Sequence, residues 1–248
     1  MNIDQPARSQ YPELKSLWQQ AFGDTPGFIE GFFQTGFSPE RCRCITLNHQ
    51  VASALYWFDC SLNGEKWAYI YAVATDTAHR GKGLCTALME DTHRHLREVG
   101  YYGAVFVPAE DHLWRYYGKF GYLPFGSIAS TTIAAGEPVR VEEISPDVYC
   151  ELRQQYLPEN PLDQRSAYPF YSTWGKFYRS QNCCFAAAKD EDTLYIQEFL
   201  GDPSPLPGIV DALNCKTGNV RLSGGDAPCG MYLSFCAAVP GYLGFALD

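Results

Sequence analysis

YIYAVATDTAHRGKGLCTALM, running from Tyr69 to Met89, decides the fold. Its first third, Tyr69–Thr75, is rich in Tyr, Ile, Val and Ala and reads as a strand. From Leu84 the apolar period changes. Leu84, Ala87, Leu88, Leu96 and Val99 fall on one side of a helix, with Glu90, Arg94, Arg97 and Glu98 off it. Gly100 stops that helix, as a glycine just past a C-terminus does. Between strand and helix stand Arg80-Gly81-Lys82-Gly83. The first turn of a helix leaves N–H groups without intrahelical partners and carries the positive end of the dipole. Glycines let the backbone take positive φ and approach an anion closely. A strand that runs through such a loop into a helix is a cradle for a diphosphate.

Two common nucleotide loops do not match. A Walker loop needs GxxxxGK[ST], and that pattern is absent. A dinucleotide fingerprint needs a third glycine where Thr86 stands. The strands ahead of the loop also differ from a βαβ start. Arg43–Leu47 ends at the turn Asn48-His49-Gln50, and Val51–Leu62 ends at Asn63-Gly64, a hairpin signal. With Lys66–Thr75 these runs predict an antiparallel meander over residues 43–75. Upstream, Tyr11, Leu14, Leu17, Trp18 and Phe22 recur at helical spacing. A Gly23-Asp-Thr-Pro-Gly27 break follows, and Phe28, Phe32 and Phe33 begin a second helix. Downstream, Ala104–Val107 reads as a strand and His112–Phe120 as a short helix closed by Gly121. Tyr122–Phe125 and Ser130–Ala134 are two further strands. Helices, three strands, helix, strand, helix and strands make an α/β (α+β) domain with a mixed, mostly antiparallel sheet.

Near Gly136-Glu137-Pro138 the pattern restarts. Val139–Ile144 is a candidate strand and Pro146–Tyr156 a candidate helix. Phe185–Ala188 and Thr193–Leu200 form a candidate hairpin, and Pro207–Asn214 a helix. Asn219–Leu222, Met231–Cys236 and Tyr242–Leu247 are candidate strands. The order echoes the first half. The chain is therefore predicted as two lobes, residues 1–135 and a degenerate α/β copy over 136–248. The join Leu200-Gly-Asp-Pro-Ser-Pro-Leu-Pro207 has no Gly-x-Gly, and its prolines remove N–H donors, so the second lobe is not expected to hold a diphosphate. Tyr168, Phe170, Tyr171, Trp174, Phe177 and Tyr178 read either as core packing or as the lining of a pocket.

The bulk numbers narrow the class. With 248 residues, 46% hydrophobic and 19% charged, the chain has room for real cores. A net charge of -9 argues against nucleic acid, which needs a positive stripe, and is compatible with an amine or cationic substrate. No apolar run reaches the roughly 18 residues of a membrane span, so no membrane partner is expected. The start, MNIDQPARSQYPE, shows no apolar leader, and a cytoplasmic location is expected. Ten cysteines lack CxxC spacing, and Cys42/Cys44 and Cys183/Cys184 have no histidine at a matching offset. They read as buried thiols, and no metal is expected. His93 and His95 lie two apart on a helix, so they do not share a ligand.

A second block completes the reading. Trp114-Arg-Tyr-Tyr-Gly-Lys-Phe-Gly-Tyr122 follows the loop in order, with Tyr117 placed 34 residues after Gly83. That spacing fits one helix, one strand and one short helix. The two blocks resemble the GNAT acetyltransferase superfamily. Arg80, Gly81, Gly83, Leu84 and Leu88 match its [Arg/Gln]-x-x-Gly-x-[Gly/Ala] loop, and Tyr117 matches the tyrosine of its Tyr-x-x-x-Gly-[Phe/Tyr] segment. Cys85 stands where Gly or Ala is usual, and Thr77 where members often have Pro. The resemblance covers residues 10–134. Beyond them the chain loosely resembles two-lobed members of the enhanced-intracellular-survival type.

The resemblance implies acetyl-CoA as co-substrate and a small-molecule or peptide amine as acceptor. Pantetheine would lie along Val73, Ala74 and Thr75, and the diphosphate on the amides of Gly81, Lys82, Gly83, Leu84, Cys85 and Thr86, with Arg80 also binding the coenzyme. Tyr117 would be the general acid, or would only pack against the coenzyme. Members often place a glutamate on the strand before the loop, but here Lys66–Val73 holds no acid. The base stays open among Asp59, Glu110, Asp111, the terminal carboxylate of Asp248, and water. The missing glutamate also keeps open a non-catalytic acyl-CoA sensor.

Overall fold

Two-residue turns frame the first unit. In this computed structural model, which describes residues 2–247, Asn48 and His49 both take positive φ, and so do Asn63 and Gly64. Two successive positive φ values match the right-handed twist of flanking strands, so each turn folds a tight hairpin. The elements up to the chain midpoint are β1 (Asn2–Asp4), α1 (Tyr11–Phe22), α2 (Pro26–Thr35), β2 (Cys42–Leu47), β3 (Gln50–Leu62), β4 (Glu65–Thr75), α3 (Leu84–Glu98), β5 (Gly103–Phe106), α4 (Asp111–Gly118) and β6 (Leu123–Phe125). Then come β7 (Ile128–Ala134), β8 (Glu142–Ile144), α5 (Pro146–Arg153), α6 (Tyr168–Tyr171), β9 (Lys176–Ser180), β10 (Cys183–Asp190), β11 (Thr193–Gly201), α7 (Leu206–Ala212), β12 (Thr217–Ser223) and β13 (Gly230–Ser234).

The chain divides into one unit of residues 1–123 and 232–238 and another of 124–231 and 239–248. The first carries a seven-stranded sheet in the order β1-β2-β3-β4-β5-β13-β6. β2 to β4 pair antiparallel, as the meander predicts; β1, not read from the sequence, pairs antiparallel with β2, and β5 pairs parallel to β4. Consecutive residues of β3 show how the helices are placed. Tyr56 meets Trp18 of α1 at 5.3 Å, whereas Trp57 meets His95 of α3 at 6.1 Å. Neighbouring strand residues point to opposite faces, so α1 and α3 cover opposite sides of the sheet. Leu14, Leu17 and Trp18 of α1 and Ile29 and Phe32 of α2 are the buried residues there.

The second unit holds a six-stranded sheet, β7-β12-β11-β10-β9-β8. β9, β10 and β11 pair antiparallel, α7 follows, and β12 runs parallel to β11. That order repeats β2-β3-β4-α3-β5, so the degenerate copy expected from sequence is present as a fold. The fully buried Glu198 of β11 bonds Arg153 at 2.8 and 2.9 Å and the Tyr149 hydroxyl at 2.6 Å. Tyr168, Tyr171 and Phe177 are buried around Phe245, the two tyrosines edge-on and Phe177 stacked, which makes these three rings core of the second unit.

Three sequence expectations change. The division falls at Leu123/Pro124 rather than 135/136, because β7 pairs with β12 and not with the first sheet. The Met231–Cys236 strand returns to the first sheet beside β5. Residues 242–247 are extended but form no ladder. They are held by Leu162 N donating to Tyr242 O (3.0 Å) and by the Gln164 side chain donating to Phe245 O (2.7 Å), so burial and not strand pairing accounts for their apolar run.

Candidate active site

The loop after β4 has the predicted form. Asp76 accepts from Ala78 N at 2.7 Å and starts a single tight turn, Thr77–His79. Gly81 and Gly83 take φ of 73° and 78°, and a side chain at either would meet nothing within 4 Å. Conformation, not space, therefore calls for glycine there. Gly83 is the N-cap of α3. It has no side chain to cap the helix, and the first turn carries no acid. The leading amides of α3 are thus open to an anion. Arg80 Nε donates to Thr75 O (3.2 Å) and Lys82 Nζ to Ala78 O (2.8 Å), so both exposed cations brace the loop that they flank.

The strand leading in is distorted. Ala54 pairs with Ala74 and Tyr56 with Tyr71, so Leu55 alone opposes Ala72 and Val73. Ala72 takes φ of 50°, unusual for a residue with a side chain. This is a β-bulge, which bends its strand and turns backbone groups away from the ladder. On the other edge, β4 pairs with β5 only at Trp67, Ala68 and Tyr69. Past Tyr69 the two parallel strands no longer form a ladder, and Val73, Ala74 and Thr75 lie in that stretch.

The short helix α4 sets its tyrosines against the first turn of α3. Tyr117 is buried, with its ring against Phe106 at 4.3 Å and Tyr122 at 6.4 Å. Burial, then the neighbouring Cys85 and Tyr116, push its hydroxyl well above the ordinary phenol value. Among the described residues no side chain or backbone group hydrogen-bonds that hydroxyl. Tyr116 is half-buried beside Cys85 and Thr86. Burial, and then the neighbouring Cys85, push its hydroxyl up to about 12. Both tyrosines lie near Cys85 in the first turn of α3.

Of the candidate bases, Asp59 stands apart from the loop. Asp59 pairs across the ladder with Ala68, seven positions before Thr75, or about 23 Å along the strand. It is held there by Arg41 (3.4 Å), Lys66 (3.6 Å) and the Tyr101 hydroxyl. Glu110 and Asp111 are exposed at the start of α4, and Glu110 pairs with His112 at 3.2 Å. Asp248 lies outside the described residues. A contact that sequence reasoning missed lies behind Tyr117. His93 of α3, buried, bonds the buried Tyr122 hydroxyl at 2.9 Å. No group of three His, Cys, Asp or Glu side chains able to hold a metal occurs among the described residues. No helix among them is long and apolar enough to cross a membrane.

A meander, a bulged strand, a glycine loop on a helix and a parallel return strand define an α/β acyltransferase fold. The chain belongs to the GNAT acetyltransferase family, since the acetyltransferase (GNAT) domain model matches residues 2–125. No curated protein matches it in sequence. Among solved structures, a GCN5-related N-acetyltransferase from Kribbella flavida is 14% identical with a TM-score of 0.70, over 95% of this chain and 71% of that one. A probable N-acyltransferase from Enterococcus faecalis V583 is 15% identical, TM-score 0.70, over 95% and 73%. Eis1 from Mycobacterium abscessus is 12% identical, TM-score 0.63, over 92% and 66%. At these identities the likeness is one of fold.

Proposed function

We propose that this protein transfers an acetyl group from acetyl-CoA to an amine by direct attack. The observation that carries the reading is the uncapped first turn of α3 behind two positive-φ glycines, with Tyr117 buried against the same turn. The diphosphate of coenzyme A would sit on the amides of residues 81–86, flanked by Arg80 and Lys82. Pantetheine would run along Val73, Ala74 and Thr75, where the ladder to β5 has ended. In the step itself the amine nitrogen forms a bond to the acyl carbon and the C–S bond breaks. The thiolate leaves with the bonding pair and the new ammonium releases a proton. The raised Tyr117 hydroxyl stays protonated at working pH and donates to the leaving sulfur, an electrostatic role more than a full proton transfer. Asp59, held at the far end of the sheet, is set aside as the base, which leaves Glu110, Asp111, the Asp248 carboxylate or water to take the ammonium proton.

The test is thiol release from acetyl-CoA with a panel of small primary amines and N-terminal and lysine peptides. Turnover with one of them, reduced about a hundredfold in kcat by Tyr117→Phe with coenzyme affinity kept, is the expected result. Tight coenzyme binding with no turnover on any amine would make the protein a sensor. No binding of any acyl-CoA would end both readings.

A further inference from the structure

Tyr117 sits on an eight-residue helix, α4, whose own burial is limited to that tyrosine. A helix this short does not hold its position by itself. Its anchor is a contact that the acyl-transfer chemistry does not use. Four residues past α4, Tyr122 turns inward and its ring packs on Phe106 at 4.8 Å. Phe106 in turn meets Tyr117 at 4.3 Å, so one ring touches both tyrosines. The buried Tyr122 hydroxyl has one protein partner, Nε2 of His93, at 2.9 Å. His93 stands nine residues into α3, the helix whose first turn is the anion cradle.

We propose that His93 is a positioning residue: its bond to Tyr122 bolts the α4 segment to α3 and so fixes Tyr117 relative to the coenzyme cradle. The inference rests on the acyltransfer reading for its kinetic part only. One rigid helix then carries the cradle at one end and the anchor of the acid-bearing segment in its middle. The groups facing His93 are Arg97 on its own helix, Tyr122 after α4, and the Phe235 ring at 6.4 Å beside β5. None is an anion, so the imidazole is neutral and accepts or donates one hydrogen bond. Gln can replace it in that bond; Phe keeps the bulk and loses the bond.

The experiment compares His93→Phe, Tyr122→Phe, the double variant and His93→Gln. The first readout is amide hydrogen exchange of residues 111–118 in the coenzyme-free protein, which needs no turnover. Either Phe variant should speed exchange there about tenfold, the double variant no further, and His93→Gln should stay near the parent. The second is kinetics: kcat about tenfold lower in the Phe variants with the coenzyme KM unchanged, and recovered in His93→Gln. Unchanged α4 exchange in the folded Phe variants would overturn the proposal. So would losses that add in the double variant, or a rise in coenzyme KM with kcat kept. If the parent turns over no amine, the enzymatic reading fails, and the exchange data alone decide the anchor.

Discussion

At Gly83 two demands meet, and substitution can separate them. The residue needs φ near 78°, which most side chains resist by about 1–2 kcal/mol, but nothing lies within 4 Å of the place a side chain would occupy. Asn tolerates that conformation better than most residues, and Asp has the same shape with a charge. Gly83→Asn should therefore lower stability by about 1 kcal/mol and keep most acyl-CoA affinity. Gly83→Asp should lose affinity more than tenfold relative to Asn, because its carboxylate would face the diphosphate. Calorimetric titration with coenzyme A at two salt concentrations checks this. Equal affinities for the two variants would remove the diphosphate from this loop. Cys85 teaches a related lesson. By sequence it is a mild departure from Gly or Ala, yet it places a thiol beside Tyr116 at the first turn of α3, and burial raises that thiol's pKa.

At the scale of elements, α3 is where sequence and structure agree most and where they part. Its apolar period, its glycine entry and its Gly100 stop are local signals, and each was legible. The β4 bulge at Ala72–Val73 was not, because no glycine or proline marks it; it arises from pairing with β3, which periodicity cannot see. The position of Asp59 was hidden for a similar reason: strand register, not sequence distance, decides which end of the sheet a residue serves. The pairing of His93 with Tyr122, 29 residues apart, needed the fold as well. It has a consequence for α3 that can be measured. Burial, with Arg97 close by, lowers the His93 value to about 4 from 6.5. Below pH 6.5 the unfolded chain takes a proton that the folded chain refuses until about pH 4. The contribution is therefore whole above pH 6.5 and is lost as pH falls towards 4. Urea melts should show about 2 kcal/mol of stability lost between pH 7.5 and pH 5 through this group. His93→Gln should be flatter over that window by the same amount. A parent and variant with parallel pH profiles would show that the imidazole is not held neutral by its surroundings.

For the whole molecule, the lobes were readable as a repeat of element order, but not where the chain is shared between them. Each sheet takes a strand from the sequence half assigned to the other. β7, read as the end of the first lobe, pairs antiparallel with β12 across seven residues. The strand after Gly230, read as part of the second, lies beside β5, and Phe235 N donates to Tyr102 O at 2.8 Å. Phe235 also lies under the Arg97 guanidinium at 4.2 Å and beside His93. A fragment of residues 1–135 would thus leave β5 without its neighbour on one side and expose the His93 surroundings, while carrying β7 with no strand to pair. Unpaired edges and uncovered apolar surface favour aggregation over folding. The fragment should give no cooperative thermal transition by circular dichroism and no coenzyme A binding. A chain of residues 1–123 joined by a flexible Gly/Ser linker to 230–238 restores the β5 neighbour and should recover a cooperative transition. A cooperative melt and coenzyme binding in the plain 1–135 fragment would instead make residues 232–238 dispensable and return the boundary to the break at Gly136.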